Sequence, residues 1–320
     1  MITKDAALAK KVTDDFLDNI KDLPEWVELY KLNHWSPSQV NKMACMWGYE
    51  YLYLSQEQRR ALPGNSKMFA GNKVGDMLQL LFGNFLWKTE IGKGLVKIEI
   101  PPQRKVFDKV LDKFNLYEPV DMADAAQHDI NRLGLAKAFQ TLKNAIKEIN
   151  LTSPTECERS VSLTLDGCIL PIIGRVDLED SNNFIELKTK WKKKNRPKKD
   201  GTSSYSLPNI KPNYMGWNEH ILQVAFYYFA CEQKKKPHLL VMHEEGYNVF
   251  TEDNCEDLRP ENLKLYLTKM KKVIQERETI LEKHAGKNTW HQDIVPDFTH
   301  YFWKSKGEHL DIAKKLWGLN

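Results

Sequence analysis

The sequence predicts an α/β protein whose mainly helical first half is followed by a half built on a β-sheet. Two observations carry this prediction. Apolar residues recur at helical spacing along 4–33 and 121–150. Beyond the turn residues of 152–154, runs of alternating apolar and polar residues indicate strands separated by short turns. We therefore expect the character of the chain to change near residue 150.

Length, charge and cysteine content limit the class of protein. The chain has 320 residues and a net charge of +4, so any affinity for nucleic acid must come from locally clustered basic residues. No apolar run approaches the length of a membrane span, and the N-terminal residues lack the apolar stretch of a secretory signal. The five cysteines include no C-x-x-C pair, which argues against a disulfide framework or a zinc finger. We expect a protein of the reducing cytoplasm that does not bind membranes.

Three regions are expected along the chain. Residues 1–150 form the mainly helical region, 151–251 contain the sheet and a helix that faces it, and 252–320 form a helical region that packs on the sheet. A long helix over 121–150 closes the first region. The last region includes an amphipathic helix over 262–283.

The first region contains two predicted helix starts. Ser36 is a candidate N-cap, and Pro37 suits the first position of a helix that continues through an aromatic stretch to Tyr53. Core packing or stacking on unpaired bases would explain these aromatic residues. Residues 64–75 are predicted to be a basic, glycine-containing loop that leads into a second helix. Asp76 lies in the first turns of that helix, where an acidic residue complements the helix dipole.

A three-stranded meander is predicted at the start of the second region. Its strands are 161–165, 170–178 and 184–189. Asp166-Gly167 is a strong hairpin-turn signal between the first two strands.

The hairpin of the last two strands carries the most informative charges of the chain. With Ser181 and Asn182 at the centre of its turn, Asp177 lies directly opposite Glu186. Alternation along the strand puts Lys188 on the same face. Two facing carboxylates repel each other, and a divalent cation such as Mg²⁺ or Mn²⁺ would remove the repulsion. Lys188 would then polarise a bound water or hold a phosphate; an exposed surface ion pair is the alternative.

Basic residues follow this hairpin directly. The run 190–199 leads into a Gly-, Ser- and Pro-rich loop that ends near residue 213. Loops this long and this charged are usually functional or disordered. We expect the run to contact the phosphates of a nucleic-acid strand, with a solvated mobile loop as the alternative. The candidate residues are Lys190, Lys192, Lys193, Lys194, Arg196, Lys198 and Lys199.

A helix and a pair of strands complete the second region. The helix is predicted over 217–231, with Gln223 and Tyr227 one turn apart on one face. These two side chains either position the charged groups of the hairpin or form a polar edge on a buried helix. The strands 238–243 and 247–251 form a further hairpin.

The order of these motifs resembles the RecB/AddB-like branch of the PD-(D/E)xK nuclease superfamily. Two upstream segments, 36–45 and 71–76, are similar to the helix motif S-P-S-x-(I/L)-N and to the helix start G-x-x-x-H of that branch. The resemblance covers roughly residues 34–250. It implies a restriction-endonuclease-like core, with a mixed central sheet flanked by helices. The matching motifs are G-x-x-D at Gly174 and Asp177, E-x-K at Glu186 and Lys188, and Q-x-x-x-Y at Gln223 and Tyr227.

This resemblance implies hydrolysis of a DNA phosphodiester by metal-activated water. Asp177, Glu186 and the Leu187 carbonyl would hold one or two Mg²⁺ or Mn²⁺ ions. Lys188 would orient the water or the scissile phosphate. The residues implied to fix this geometry are Gln223 and Tyr227.

The chain departs from the family pattern in two places. The motif histidine is replaced by Gly75-Asp76, and Asp76 is the candidate metal ligand in its stead. Cys45 lacks the C-terminal cysteine partners that hold an iron–sulfur cluster in some members, so no cluster is expected. Glu156 or Glu158 would correspond to an additional acidic position of the family.

The function implied is that of a metal-dependent DNA exonuclease acting on single strands or duplex ends. It would serve DNA replication, recombination, repair or phage DNA metabolism in the cytoplasm of a bacterial or phage-infected cell. A structure-selective or restriction-like endonuclease is the alternative within the enzyme class. A non-catalytic nucleic-acid-binding protein is the alternative outside it.

Overall fold

A computed structural model describes most of the chain. The helix predicted over 4–33 lies outside the described residues as far as residue 22, and so does Lys198. The described residues are 23–62, 64–83, 85–90, 94–99, 106–152, 155–197, 199, 204–211, 217–300, 303 and 307–319.

The chain divides into two compact units. The second unit contains every residue of the predicted catalytic and metal-binding set. The first unit is formed by Met1–Pro63, Ser162–Gly174 and Leu267–Asn320. The second unit is formed by Gly64–Val161 and Arg175–Tyr266.

Helices account for much of the described chain, before, between and after the strands. No helix in the described ranges is both long enough and apolar enough to cross a membrane. The helices are α1 (Glu25–Tyr30), α2 (Pro37–Val40), α3 (Ala44–Gly48), α4 (Gln56–Arg60), α5 (Ser66–Phe82), α6 (Val106–Phe114), α7 (Met122–Ile149), α8 (Trp217–Ala230), α9 (Pro260–Lys283) and α10 (Glu308–Leu316). A π-helical turn, Tyr49–Tyr53, continues α3, and 3₁₀ turns span Glu256–Leu258 and Trp290–Asp293.

The described strands form one mixed sheet and one separate pair. They are β1 (Phe85–Glu90), β2 (Gly94–Glu99), β3 (Glu156–Leu163), β4 (Ile172–Glu179), β5 (Asn183–Thr189), β6 (Lys193–Lys194), β7 (Tyr205–Ser206), β8 (Lys236–His243) and β9 (Gly246–Phe250). The mixed sheet runs in the order β2-β1-β3-β4-β5-β8-β9, and β6 pairs with β7. Antiparallel pairs join β1 to β2, β4 to β5 and β8 to β9, while β1 runs parallel to β3 and β5 runs parallel to β8. The predicted fold, a mixed central sheet flanked by helices with a mainly helical N-terminal region, is confirmed.

One side chain closes the turn between β4 and β5. Asp180 Oδ1 accepts hydrogen bonds from the N–H groups of Asn182 (2.7 Å) and Asn183 (2.6 Å). Its Oδ2 accepts the N–H of Thr152 at 2.7 Å. These bonds hold the pKa of Asp180 below its usual range although burial opposes the charge. The aspartate therefore fixes the turn in its charged form.

The register of this hairpin agrees with the prediction. Leu178 pairs with Ile185 across the two strands. Asp177 and Glu186 occupy the next position along the same register. A slip of one residue would move both carboxylates to the opposite face of the sheet, so the turn decides where the charges lie.

Successive side chains of a strand point to opposite faces of the sheet, so one face packs on an apolar core and the other carries the charged residues. Leu178 and Ile185 belong to a core formed with α5, α6 and α7. On the other face, the rings of Phe184 in β5 and Tyr227 in α8 lie with centroids 6.2 Å apart. Helix α8 thus covers the face to which Glu186 points.

The predicted loop over 64–75 is wrong, because α5 already begins at Ser66. The Asn65 side chain caps this helix by accepting the N–H of Met68 at 3.0 Å. Gly71 lies inside the helix, where an added Cβ would be 2.8 Å from Thr189 Oγ1 at the end of β5. The glycine therefore permits close helix–strand packing and does not interrupt the helix.

The basic run after β5 contains a short strand that the sequence did not predict. Its described residues include β6, which pairs antiparallel with β7. The Asn195 N–H donates to the Ser204 carbonyl at 2.8 Å and extends this pairing. We call β6, β7 and the described residues beside them the basic ribbon.

A buried carboxylate organises the first unit. Glu278 accepts hydrogen bonds from the Trp35 indole (2.9 Å), the Ile169 N–H (2.9 Å) and the Leu170 N–H (3.1 Å). Trp35 adds a parallel backbone bridge to Ile172. The N-cap predicted at Ser36 is confirmed, since that side chain accepts a hydrogen bond from the backbone of α2.

A methyl group at Gly48 has no room in this unit. Its Cβ would lie 2.3 Å from a ring carbon of Trp290, which is fully buried. We expect Gly48→Ala to lower the free energy of unfolding by about 1–3 kcal/mol, the usual cost of overpacking, measured by chemical denaturation. The matched control is Gly75→Ala, which has nothing within 4 Å of its Cβ and should raise stability by about 0.5–1 kcal/mol. Equal stabilities for the wild type and Gly48→Ala would contradict this packing.

Candidate active site

Asp177, Glu186 and Lys188 meet where β4 and β5 carry the charged face of the sheet. The Asp177 carboxylate accepts the backbone N–H of Leu187 at 2.7 Å. The Lys188 ammonium forms an ion pair and hydrogen bond with Glu186 Oε1. Glu186 is 2% exposed, whereas Asp177 and Lys188 are half-buried. The structure therefore brings together the three charged residues that the hairpin predicted.

Burial and mutual repulsion disfavour the two carboxylates in their charged form. Burial raises the pKa of Asp177 to about 7, and the charge of Glu186 adds to this increase. Burial also raises the pKa of Glu186, although Lys188 opposes that increase. For Lys188, burial lowers the pKa, but Glu186 and Asp177 outweigh burial and raise the pKa overall. The lysine is thus held as a cation beside carboxylates that resist ionisation.

Helix α8 adds the two polar residues predicted on one of its faces. Gln223 Oε1 accepts a hydrogen bond from the Lys188 ammonium at 2.7 Å. Gln223 is also hydrogen-bonded to the Tyr227 side chain. Burial, followed by the charges of Glu186 and Asp177, raises the pKa of Tyr227 well above its usual range. A continuous chain of polar contacts therefore runs from the carboxylates through Lys188 to Tyr227.

A third carboxylate, Glu158 on β3, lies close to this site. It adopts φ +54°, a left-handed backbone conformation that is uncommon for a residue with a side chain. Gln79 Nε2 donates to its Oε1 at 2.8 Å, and Arg175 Nη1 lies 2.8 Å from its Oε2. Its charge contributes to the raised pKa of Glu186. Glu158 is thus an acidic residue whose charge reaches the site, and its correspondence to the additional acidic position of the family stays a prediction.

Asp76 is not joined to these carboxylates. Its Oδ2 lies 2.7 Å from the Lys73 ammonium, in an ion pair within α5. Gln79, one turn further along the same helix, is the residue that reaches the acidic cluster through Glu158. A role for Asp76 as a metal ligand would require its pair with Lys73 to open, so that role stays a prediction.

His220 is a residue that the sequence interpretation missed. Burial and the charges of Lys188 and Lys190 lower its pKa to about 3. Its Nε2 lies 3.4 Å from the Lys190 ammonium. The available signal was its spacing, since His220 lies one turn before Gln223 on α8 and faces the same strand.

The predicted phosphate-contacting residues fall into two groups. In the first group, Lys192 forms an ion pair with buried Glu244, with 2.6 Å between Nζ and Oε1, and Lys190 lies beside His220. The second group is exposed on the basic ribbon and its surroundings. Its members are Lys193, Lys194, Arg196 and Lys199.

The donor atoms at this site suit a hard divalent cation. Within the described residues, the buried Oε2 of Glu186 has no hydrogen-bond partner. An unsatisfied buried carboxylate oxygen beside a second, half-buried carboxylate, Asp177, is a costly arrangement that a cation would relieve. No group of three or more His, Cys, Asp or Glu side chains in the described ranges is arranged as a ready-made metal cage. The candidate ligands among these residues are therefore the Asp177 and Glu186 carboxylates, and the role of the Leu187 carbonyl stays a prediction.

Comparisons with known proteins find distant structural likeness. No protein-family model matches the chain, and no curated protein is significantly similar to it. Among solved structures, the chain is similar to a protein from Eubacterium rectale named as a candidate exonuclease, with 10% identity, a TM-score of 0.43, and coverage of 87% of this chain and 96% of that one. It is also similar to SSO0001, with 13% identity, a TM-score of 0.33 and coverage of 87% of each chain. These likenesses assign no role to any residue of this chain.

Proposed function

We propose that the second unit is a metal-dependent nuclease that hydrolyses phosphodiester bonds in DNA. The observation that carries the proposal is the cluster of buried Glu186 with half-buried Asp177 and Lys188. Two carboxylates with raised pKa values share one lysine, and one carboxylate oxygen lacks a partner within the described residues. The resemblance of the surrounding motifs to the RecB/AddB-like nucleases gives this chemistry its substrate class.

Mg²⁺ or Mn²⁺ would be held by Asp177, Glu186 and the Leu187 carbonyl. When bound, such an ion lowers the pKa of water and neutralises charge on the phosphate. Asp177 keeps its carboxylate in place through the Leu187 N–H. Glu186 Oε1 remains on Lys188, which leaves Oε2 as the oxygen directed to the ion.

Lys188 acts through its charge and not as a base. Its raised pKa keeps the ammonium protonated at neutral pH, so it has no lone pair with which to take a proton from water. An ammonium has three donors, and Glu186 and Gln223 accept two of them. Among the described residues the third donor has no acceptor, which leaves it for the scissile phosphate or the attacking water.

Replacing Gln223 by leucine is expected to lower the rate of DNA hydrolysis by about 10–100-fold, as loss of an orienting residue does. The variant removes the acceptor that holds Lys188 and the partner of Tyr227. Gln223→Glu keeps an acceptor for Lys188 and should retain more activity than Gln223→Leu. The matched control is Gln140→Leu on the exposed face of α7. Equal rates for both leucine variants would contradict the positioning role.

We further propose that digestion begins at single-stranded or duplex ends. The test is incubation of purified protein and Mg²⁺ or Mn²⁺ with end-labelled linear DNA and with a closed single-stranded circle. Degradation of the linear DNA with survival of the circle is the expected result. Cleavage of the circle would instead establish an endonuclease. Inert protein with both metals, on both DNA and RNA, would contradict the nuclease and favour the non-catalytic nucleic-acid-binding alternative.

A further inference from the structure

The start of the basic ribbon is fixed in place by three consecutive residues. The Lys190 N–H donates to the Met242 carbonyl of β8 at 2.8 Å. Trp191 is buried in the apolar core of the second unit. Lys192 pairs with buried Glu244 at 2.6 Å. The ribbon therefore leaves the end of β5 in a defined direction, with Lys193 as its first exposed cation.

Helix α5 approaches the same end of β5. Gly71 lies against Thr189, with only 2.8 Å between the position of an added Cβ and Thr189 Oγ1. Lys67 precedes Gly71 by about one helical turn and lies in the first turn of α5. Lys193 follows Thr189 by four residues. The packing of the helix on the strand thus brings Lys67 and Lys193 into one neighbourhood.

Lys67 lacks an anion in the described part of the chain. No hydrogen bond or ion pair among the described residues neutralises its ammonium, which is half-buried. Asp124 of α7 lies beside the start of α5. Its carboxylate accepts the Ser66 N–H (2.8 Å) and the Tyr117 hydroxyl (2.5 Å) rather than pairing with Lys67. Burial and the charge of Lys193 lower the pKa of Lys67. A half-buried ammonium that feels the charge of a neighbouring ammonium is an arrangement that a bound anion would stabilise.

The basic composition of the ribbon indicates that its ligand is a polyanion. Residues 190–211 contain eight Lys or Arg and one Asp, and no Glu. The ribbon continues from the strand that carries Lys188, and five residues of extended chain from Lys188 to Lys193 span at most about 17 Å. A polynucleotide bound at Lys188 would therefore reach Lys193 within a few nucleotides.

We propose that Lys67 and Lys193 together bind one backbone phosphate of a single nucleic-acid strand, a few nucleotides from the phosphate that reacts at Lys188. This inference rests on the proposed nuclease function and adds a strand-holding site outside the carboxylate cluster. Lys67, from α5, supplies the half-buried cation, and Lys193 closes on the phosphate from the ribbon. This site should bind the nucleic-acid backbone without preference for any base, because phosphate contacts carry no base information.

The test measures binding without cleavage. A fluorescein-labelled oligothymidine is titrated with wild type, Lys67→Gln, Lys193→Gln and the double variant in chelator, over a range of salt concentrations. Losing one phosphate contact should reduce the slope of log affinity against log salt by about 0.7. The double variant loses this contact altogether, whereas each single variant keeps one lysine on the phosphate and should lose less of the slope. Lys147→Gln, an exposed lysine on α7, is the matched control and should bind like the wild type.

An unchanged slope in the double variant would overturn the proposal. So would an acidic peptide that displaces the oligonucleotide from wild type and from Lys67→Gln equally well, because the ribbon would then be a general acidic-protein surface. Binding and hydrolysis are measured in separate assays. A wild type that binds through these lysines but does not cut DNA would refute the nuclease and leave the phosphate site standing, whereas cutting with unchanged slopes would refute only the site.

Discussion

Replacing Lys188 by methionine is expected to lower the rate of DNA hydrolysis by about 10²–10⁴-fold, the usual contribution of a positioned charge or proton-handling group in an active site. Methionine keeps most of the length of the side chain but has no charge. The ammonium of Lys188 is the cation that faces both Glu186 and Gln223. Its loss leaves the reacting phosphate or water without this donor.

Binding and folding serve as controls for this variant. The substitution leaves the basic ribbon unchanged, so Lys188→Met should retain binding of labelled DNA in chelator, less at most one phosphate contact. Its thermal unfolding should remain cooperative. Lys147→Met provides the matched control for loss of a lysine. Rapid DNA cleavage by Lys188→Met would remove Lys188 from the catalytic set.

Asp177→Asn is expected to make the metal-free protein more stable at pH 8, by about 2–4 kcal/mol, although it removes a catalytic carboxylate. The pKa of Asp177 is raised from 3.8 to about 7 in the folded chain, mainly by burial. A tenfold change in an acid dissociation constant corresponds to about 1.4 kcal/mol between the two protonation states. Asparagine carries no charge, and its side-chain oxygen still accepts the Leu187 N–H.

The pH dependence has a defined sign. Below about pH 4 Asp177 is protonated in both the folded and the unfolded chain, so it imposes no penalty. Between about pH 4 and pH 7 the unfolded chain releases this proton first, and stability falls by up to about 1.4 kcal/mol for each step of one in pH. Above about pH 7 the loss is complete. Asp177→Asn removes this part of the pH dependence.

Denaturant unfolding in chelator at about pH 5 and pH 8 measures the effect. The lowered pKa of His220 acts in the opposite direction, because a buried neutral histidine loses stability as pH falls. That contribution is common to wild type and variant, so it cancels in the difference between the two. Asp112→Asn, on an exposed face of α6, is the matched control. A variant no more stable than wild type at pH 8 would contradict the burial of this charge.

The hairpin could be predicted from the sequence because its register depends on local chemistry. Asp180 closes the turn through its own carboxylate, and the alternation of β5 then places Glu186 and Lys188 on one face. The long helix was predictable for a similar reason. Asp121 caps α7 at its start, and Asn150 ends it in the left-handed conformation.

Other features depend on contacts between distant segments. Gly71 suggested a loop, but its role is to let α5 approach Thr189, which is far away in the sequence. The left-handed backbone of Glu158 follows from no local residue preference. The neighbourhood of Lys67 and Lys193 likewise requires α5 to pack at the end of β5. None of these contacts leaves a periodic signal in the chain.

The most direct test of the nuclease assignment is hydrolysis of end-labelled single-stranded DNA by wild type and Asp177→Asn, side by side, with Mg²⁺ or Mn²⁺. Because the variant is expected to be the more stable of the two, loss of activity could not be attributed to unfolding. We predict release of labelled nucleotides by the wild type and none above background by Asp177→Asn. Equal hydrolysis by both proteins, or none by the wild type with either metal, would contradict the assignment of Asp177, Glu186 and Lys188 as the centre of a metal-dependent nuclease.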